Sequence, residues 1–569
     1  MPGGPLLHWR GRRRIDVERV ASYTLHWGFS MRRFLAGLAV AGLLLAGCQG
    51  AGADPAAGAG APVQGGKLTW GVETEPITFN PHQYAQAKAR LLVWNSFDAL
   101  LTHDDKGGYL PWLASSYSVS ADGLTYTFKL RDDVTFHDGE KFDAAAVKAN
   151  LDQLQVPGYA PSVLATQLKH FKDAVVADAT TIEIHLNQPD VLILDFFASP
   201  QGAQIAPKSL KSPNLKAGGP DVVGTGPFIL DRYTKGQEVH YKRNPDYKWA
   251  PSNAGHQGPA YLDEVTYRFL GESSVRVGAL TSGQVDVAEG IPATEQESVK
   301  ADPNLTFSRS LNSGTAYNYY FNQTRAPFDD IRVRKAFRDA VDVDAVLRGV
   351  YRGTATRAWS ILSPSGQFYD PSLEKTYGNN PADANALLDE AGWSAKDADG
   401  FRTKDGKRLT ARIVLSAPYV RDKRDILAQA VQAAVKQTAG IDLQVKIVDA
   451  GTATDAINKN EFEVFDNSRA DTDAGAALSL ILPKGAPINR HGYNSPEIDQ
   501  LVAQAGATGD VAKRKEIYVK LQKLLTDNAT LLPLYAPADQ VAAQKKVGGL
   551  GFEPTAGVPG SAYNVWIGN

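Results

Sequence analysis

Alternation of apolar and polar positions marks strands at intervals along this chain. Lys67 to Glu73 places Leu68, Trp70 and Val72 against polar or small neighbours, the period-2 signature of a half-buried strand. Leu124–Leu130 alternates likewise behind Asp122-Gly123, a turn dipeptide, and Thr181–Leu186 and Val265–Phe269 read as further strands. Helical spacing takes over later. Arg332 to Val350 sets Val333, Ala336, Phe337, Ala340 and Val341 on one stripe. Asn380-Pro381 opens a helix over 382–391 that Gly392 closes. Leu409–Ser416, Asp422–Lys436 and Asp442–Asp449 read as strand, helix, strand, which implies a right-handed crossover and a parallel pair. The pattern predicts an α/β protein with more than one lobe.

Met31 to Cys48 departs from both periods. Arg32 and Arg33 precede an apolar run from Phe34 to Leu45, and small residues lead to Cys48. This is the layout of a secretory signal, too short for a spanning helix of about 20 residues. Cys48 is the only cysteine, so it has no disulfide partner within the chain. The following segment, 49–66, is rich in Ala, Gly and Pro and reads as a flexible tether. Leu45-Ala46-Gly47-Cys48 resembles a bacterial lipobox, which implies a lipid on Cys48. A twin-arginine export signal fits less well, because Phe34-Leu35 follows Arg33 directly. Residues 1–30 precede a complete signal, and we expect Met31 to be the true start.

Composition then removes alternatives. The 569 residues are 43% hydrophobic and carry a net charge of -2, enough for a sizeable core and without the basic face of a nucleic-acid binder. There is no Gly-x-Ser-x-Gly elbow and no His-Glu-x-x-His, which disfavours an exported hydrolase. Gly224-Thr225-Gly226-Pro227 lacks the Lys-Ser/Thr of a phosphate loop. Asp397-Ala398-Asp399-Gly400 lacks carboxylates at the first and twelfth positions of a calcium loop. His137-Asp138 reads as a local turn pair. No metal site and no cofactor is expected.

Six blocks in order carry a family resemblance. Trp112-Leu113, Tyr126-Thr127-Phe128, Leu130-Arg131 and Phe136-His137-Asp138-Gly139 form the first. Gly224 to Phe228 with Arg243-Asn244-Pro245-Asp246-Tyr247 forms the second. Ala279-Leu280 with Gly283, Val285 and Asp286 follows, then Pro327 to Ala336, then Leu387-Leu388 with Ala391-Gly392-Trp393, and last Gly492 to Asp499. From about Lys67 to Trp566 the chain resembles the family 5 extracellular solute-binding proteins, the oligopeptide, dipeptide and nickel-binding lipoproteins of ABC importers.

That resemblance implies a two-lobed periplasmic-binding-protein-like clamp of the type II, three-domain form. Lobe one would comprise about 67–104, 219–312 and 531–569, an inserted domain about 105–218, and lobe two about 313–530. The chain would cross between lobes near Asn312 to Tyr317 and near Leu531 to Pro537. It further implies a monomer that hands its cargo to a membrane permease driven by ATPase subunits, on the outer face of the cytoplasmic membrane. Peptides are the favoured cargo; nickel chelates, opines, sugars or another metabolite are the alternative. A peptide's ammonium needs a carboxylate and its carboxylate an Arg or Lys. Asp471 matches the family's ammonium partner, with Asp473 behind it, although the usual Trp, Tyr and Pro neighbours are absent. Tyr319 and Tyr320 are expected to line side-chain pockets, Asn322 to bond a ligand backbone, Arg469 or Arg490 to face a carboxylate, and Glu73 to approach from the first loop. His491 keeps a nickel reading open.

Overall fold

The computed structural model describes residues 59–569, apart from 84–86, 88–89, 555 and 569. Cys48, the signal segment and the start of the tether lie outside the described residues. The described residues all lie within one compact unit. Among the described residues no helix is long and apolar enough to cross a membrane.

Two large sheets organise that unit. The first has seven strands in the order Leu305–Leu311, Ala538–Gln544, Val287–Glu289, Lys67–Val72, Glu264–Phe269, Glu238–Arg243, Phe228–Thr234. Lys67–Val72 pairs in parallel with both Glu264–Phe269 and Val287–Glu289, and its alternation buries Leu68, Trp70 and Val72. The second sheet has six strands in the order Thr356–Arg357, Leu531–Ala536, Thr315–Phe321, Val464–Arg469, Thr410–Ser416, Asp442–Val448. Thr410–Ser416 and Asp442–Val448 run parallel, with the helix Arg424–Ala439 as their crossover, as the pattern predicts. Leu427, Ala428, Val431, Val435 and Ala439 bury one face of that helix, the i, i+4 stripe of a helix seated on a sheet. It starts two residues later than the pattern suggests, because Asp422 and Lys423 take left-handed backbone angles.

A third, four-stranded antiparallel sheet comprises Ala114–Val119, Thr125–Leu130, Thr181–Leu186 and Phe171–Asp178. Its first hairpin turns at Asp122-Gly123: the Asp122 carboxylate accepts the Leu124 N–H and Gly123 sits at φ 71°. The second block packs against Ser96-Phe97. A Cβ on Gly224 or Gly226 would lie 2.3 or 2.5 Å from backbone atoms of Ser96, so this stretch is a close-packing device.

The single helix expected over 332–350 is two helices, Ile331–Asp339 and Val343–Tyr351. The Asp342 carboxylate accepts the Ala345 N–H and starts the second, so an N-cap signal overrides the continuous stripe. The helix Pro381–Glu390 follows expectation, with Asn380 accepting the Asp383 N–H and Gly392 at φ 86°.

The chain passes from the seven-stranded to the six-stranded sheet between Leu311 and Thr315, and returns at Pro537. The two passages lie side by side. Asn312 donates its N–H to the Pro537 carbonyl (2.8 Å) and its amide to Asp539 (2.7 Å). Leu531–Ala536 thus lies in the six-stranded sheet.

Candidate functional site

In open α/β sheets ligands collect outside the carboxyl ends of the parallel strands. Those ends are Glu73, Leu270 and Gly290 in the first sheet, and Ala417, Asp449 and Ala470 in the second. A cavity of about 310 Å³ has walls from both sheets, with Glu73, Gly271 and Gly290 on one side and Asp422, Lys423 and Tyr535 on the other. That is at the lower end of the roughly 300–1,000 Å³ typical of small-molecule pockets.

Arg276 stiffens the first wall. Buried on the helix Ser273–Thr281, it donates from Nε to the Glu289 carbonyl (2.8 Å) and from Nη2 to Gly290 (3.0 Å). Its Nη1 reaches Gly271 (3.0 Å). One guanidinium therefore pins the loops after two strands. The Glu73 N–H donates to the Glu289 carboxylate (2.9 Å), which draws in the loop after the first strand. The second wall is stiffened by Arg424, stacked 4.0 Å over the Tyr317 ring and donating to Tyr535 (3.2 Å) and Ser468 (2.8 Å). Tyr317 in turn donates to Asp466 (2.9 Å), whose carboxyl burial pushes up and the Arg424 charge pulls back down.

At the end of the strand Val464–Arg469 lie two of the residues named from the sequence, Arg469 and Asp471. Arg469 and Asp471 come together through Nε–H···Oδ2 (2.7 Å) and Nη2–H···Oδ1 (2.9 Å). Ser313, in the passage between sheets, donates to the Asp471 carbonyl (2.8 Å). Asp473 points elsewhere. It caps the helix Ala474–Ile481 through the Gly475 N–H and pairs bidentately with Arg514, both contacts at 2.6 Å and buried.

The other expected residues do not join this centre. Adjacent strand positions face opposite ways, so Tyr319 enters the core beneath Phe337 and Val431 while Tyr320 enters the one around Leu478 and Tyr518. Both rings are closed off from solvent, which corrects the pocket-lining expectation. Asn322 donates to Asn460 (2.6 Å) and to the Phe462 carbonyl (2.9 Å), accepts from Thr324, and serves as a sheet-end clasp. Arg490 is half-buried near that same end, and burial lowers its pKa. His491 is buried with both ring nitrogens engaged, Nε2 at the Ile481 carbonyl and Nδ1 accepting the Tyr493 N–H, and burial lowers it to about 4. Its ring has no nitrogen to offer a metal.

A further set of charged residues escaped the sequence. Arg90 donates to Glu553 (2.8 Å), and His103 Nε2 lies 3.2 Å from Asp195 Oδ1, all four side chains being largely buried. Tyr109 stacks obliquely on His103 with centroids 5.1 Å apart, and Trp94 on Trp112 at 5.3 Å. Burial raises the Asp195 carboxyl, His103 pulls it down, and the charges of Asp473 and Asp471 push it up again. Tyr109 is raised by burial and by the fields of Asp473 and Asp195. The helix Leu192–Phe197 thus abuts the 471–473 loop, and the Val191 N–H donates to the Gly506 carbonyl (2.8 Å). The one available signal was a lone carboxylate within the apolar run Leu192 to Phe197.

Comparison with known proteins agrees with this architecture. Over 500 residues the chain is 29% identical to the glutathione-binding protein GsiB of Escherichia coli, covering 84% of this chain and 91% of that protein. Its fold matches NikA from Brucella suis, solved with Fe(III)-EDTA, at TM-score 0.77 and 26% identity, over 88% of this chain and 99% of that one. It also matches AgaA from A. tumefaciens R10, solved with agropinic acid, at TM-score 0.74 and 25% identity, over 89% and 99%. Residues 108–486 match the family model described as bacterial extracellular solute-binding proteins, family 5. These relatives bind solutes and are not enzymes. The chain belongs to the bacterial extracellular solute-binding proteins of family 5.

Proposed function

We propose that this protein captures small zwitterionic peptides, glutathione among them, between its two large sheets and delivers them to a membrane permease. The observation that carries the reading is the cavity where the carboxyl ends of both sheets meet, with the Arg469–Asp471 pair at the carboxyl end of a strand of the second sheet. Identity to a glutathione-binding protein supports the cargo class. Arg469, oriented by Asp471, is suited to a peptide carboxylate, which a guanidinium engages through two parallel hydrogen bonds. The paired passages at Asn312 and Pro537 are suited to hinge closure, the movement by which periplasmic binding proteins enclose a ligand. Lobe one, the inserted domain and lobe two would then move as the three bodies of the clamp, and a lipid on Cys48 would keep it beside its permease.

Thermal unfolding with glutathione, the dipeptide Met-Leu and a nickel–histidine chelate tests the cargo. A ligand that binds only the folded state raises the midpoint with concentration. Glutathione or Met-Leu is expected to do so; stabilisation by the nickel chelate alone would overturn the peptide reading.

A further inference from the structure

The three large sheets are joined unequally. The four-stranded sheet shares one hydrophobic core with the seven-stranded sheet: Phe128 and Ile182 of the one belong with Trp70 and Val265 of the other. The six-stranded sheet keeps its own cores, with Tyr319 and Val431 in one and Tyr320 and Leu478 in the other. It meets the four-stranded side through the helix Ala474–Ile481, which begins just beyond the Arg469–Asp471 pair and packs against the helices Ser162–Gln167 and Leu192–Phe197. Among the described residues a single backbone hydrogen bond crosses that seam, from the Val191 N–H to the Gly506 carbonyl (2.8 Å).

Both partners of that bond are helix-end groups. Gly506 ends the helix Pro496–Gly506, so its carbonyl has no partner within the helix, and Val191 precedes the first turn of Leu192–Phe197. Parting them hands each group to water at little net cost. The segment carrying Val191 is by contrast fastened to its own side. Tyr126 donates to the Asp190 carbonyl (3.2 Å), and the buried Asp190 carboxylate accepts the Leu192 N–H (3.1 Å). We infer that this seam is the door of the solute site, through which cargo enters and leaves, with Val191–Gly506 as its catch. The inference rests on the reading above that the cargo lies between the two large sheets, and it adds the path of entry. Two glycines keep the catch close. A Cβ on Gly506 would lie 3.5 Å from Asp190 Oδ1, and one on Gly509 would lie 3.9 Å from Val191 Cγ1. A small side chain fits there, and a large one wedges the seam.

Residues 49–569 contain no cysteine, so in a Cys48→Ser protein the pair Val191→Cys and Gly509→Cys supplies the only two thiols. The two positions lie within reach of a disulfide. S-methylglutathione and Met-Leu serve as probes, because neither carries a thiol that would reduce the bond. Oxidised, the double variant is expected to take up and release both probes at least about tenfold more slowly than when reduced, and to retain a probe bound before oxidation. Gly506→Leu, which wedges the seam, is expected to speed release at least about tenfold. Cysteines that fail to cross-link, rates indifferent to oxidation, or wild-type release from Gly506→Leu would each overturn the door and leave the cargo reading standing. Wild-type protein that binds neither probe would overturn both.

Discussion

Arg469 grips Asp471 through two near-parallel hydrogen bonds of 2.7 and 2.9 Å, two residues apart at the end of one strand. Both side chains are largely buried, so removing either partner would leave the other charge poorly solvated and cost stability as well as geometry. Asp471 fixes the plane of the guanidinium, and Ser313 fixes the loop carrying both, so a change in the passage between sheets is felt at the polar centre.

The Arg514–Asp473 pair is buried more deeply still. Arg514→Ala leaves a carboxylate without its charge partner and is expected to destabilise the protein by about 3–5 kcal/mol. Urea unfolding measures this; a loss below about 1 kcal/mol would show that water or another group replaces the guanidinium.

Gly290 sits at φ 64°, and a Cβ there would lie 2.8 Å from Arg276 Nη2. Gly290→Ala is expected to cost about 1–2 kcal/mol from the left-handed backbone alone. It should also displace the Arg276 clamp and weaken glutathione binding. Unchanged affinity with reduced stability would separate that clamp from the binding wall.

Three buried histidines make folding less favourable in mild acid. Burial lowers His82, His137 and His491 from 6.5 to about 4, so between those values the unfolded chain binds more protons than the native one. Stability from these groups is complete above pH 6.5 and is lost as pH falls toward 4. Asp98 acts in reverse. Burial raises it to about 7 against the donors Thr225, Trp249 and Tyr247, so its native state holds the extra proton and stability falls as pH rises from about 4 to 7. Burial raises Asp195, Asp466 and Glu553 in the same sense as Asp98, so the pH profile sums opposed contributions and a single histidine variant isolates one of them. His491→Gln should lose less stability than the wild type between pH 7 and 4.5, read as the difference of the two urea midpoints at each pH; a difference that does not change with pH would remove His491 as a contributor.

Cys48→Ser is expected to release the protein from the membrane fraction while leaving glutathione affinity unchanged. Retention after the substitution, followed by fractionation and immunoblot, would contradict the lipid anchor.

Local pattern made much of the framework legible. Leu68, Trp70 and Val72 announced a central strand, and the spacing of Leu427, Val431 and Val435 announced a crossover helix, because burial on one face enforces a period. Asp471 was legible from the family resemblance alone, and Arg469 only as an alternative to Arg490; their pairing two residues apart is seen only in the structure. Period alone did not decide which aromatic faces which core, so Tyr319 and Tyr320 looked alike from the sequence although the sheet separates them. The Arg90–Glu553 pair spans 463 residues, and His103–Asp195 joins a short strand to a distant helix; neither has a local signature.

The central claim is that a small peptide occupies the space between the carboxyl ends of the two sheets, engaged by Arg469 under the control of Asp471. Calorimetric titration of glutathione into wild-type and Asp471→Ala proteins tests it most directly. We expect one saturable site per chain in the wild type, and an affinity at least about tenfold weaker in the variant, measured at a temperature where both proteins are folded. Absence of a binding isotherm in the wild type, or equal affinity in the two proteins, would contradict the account.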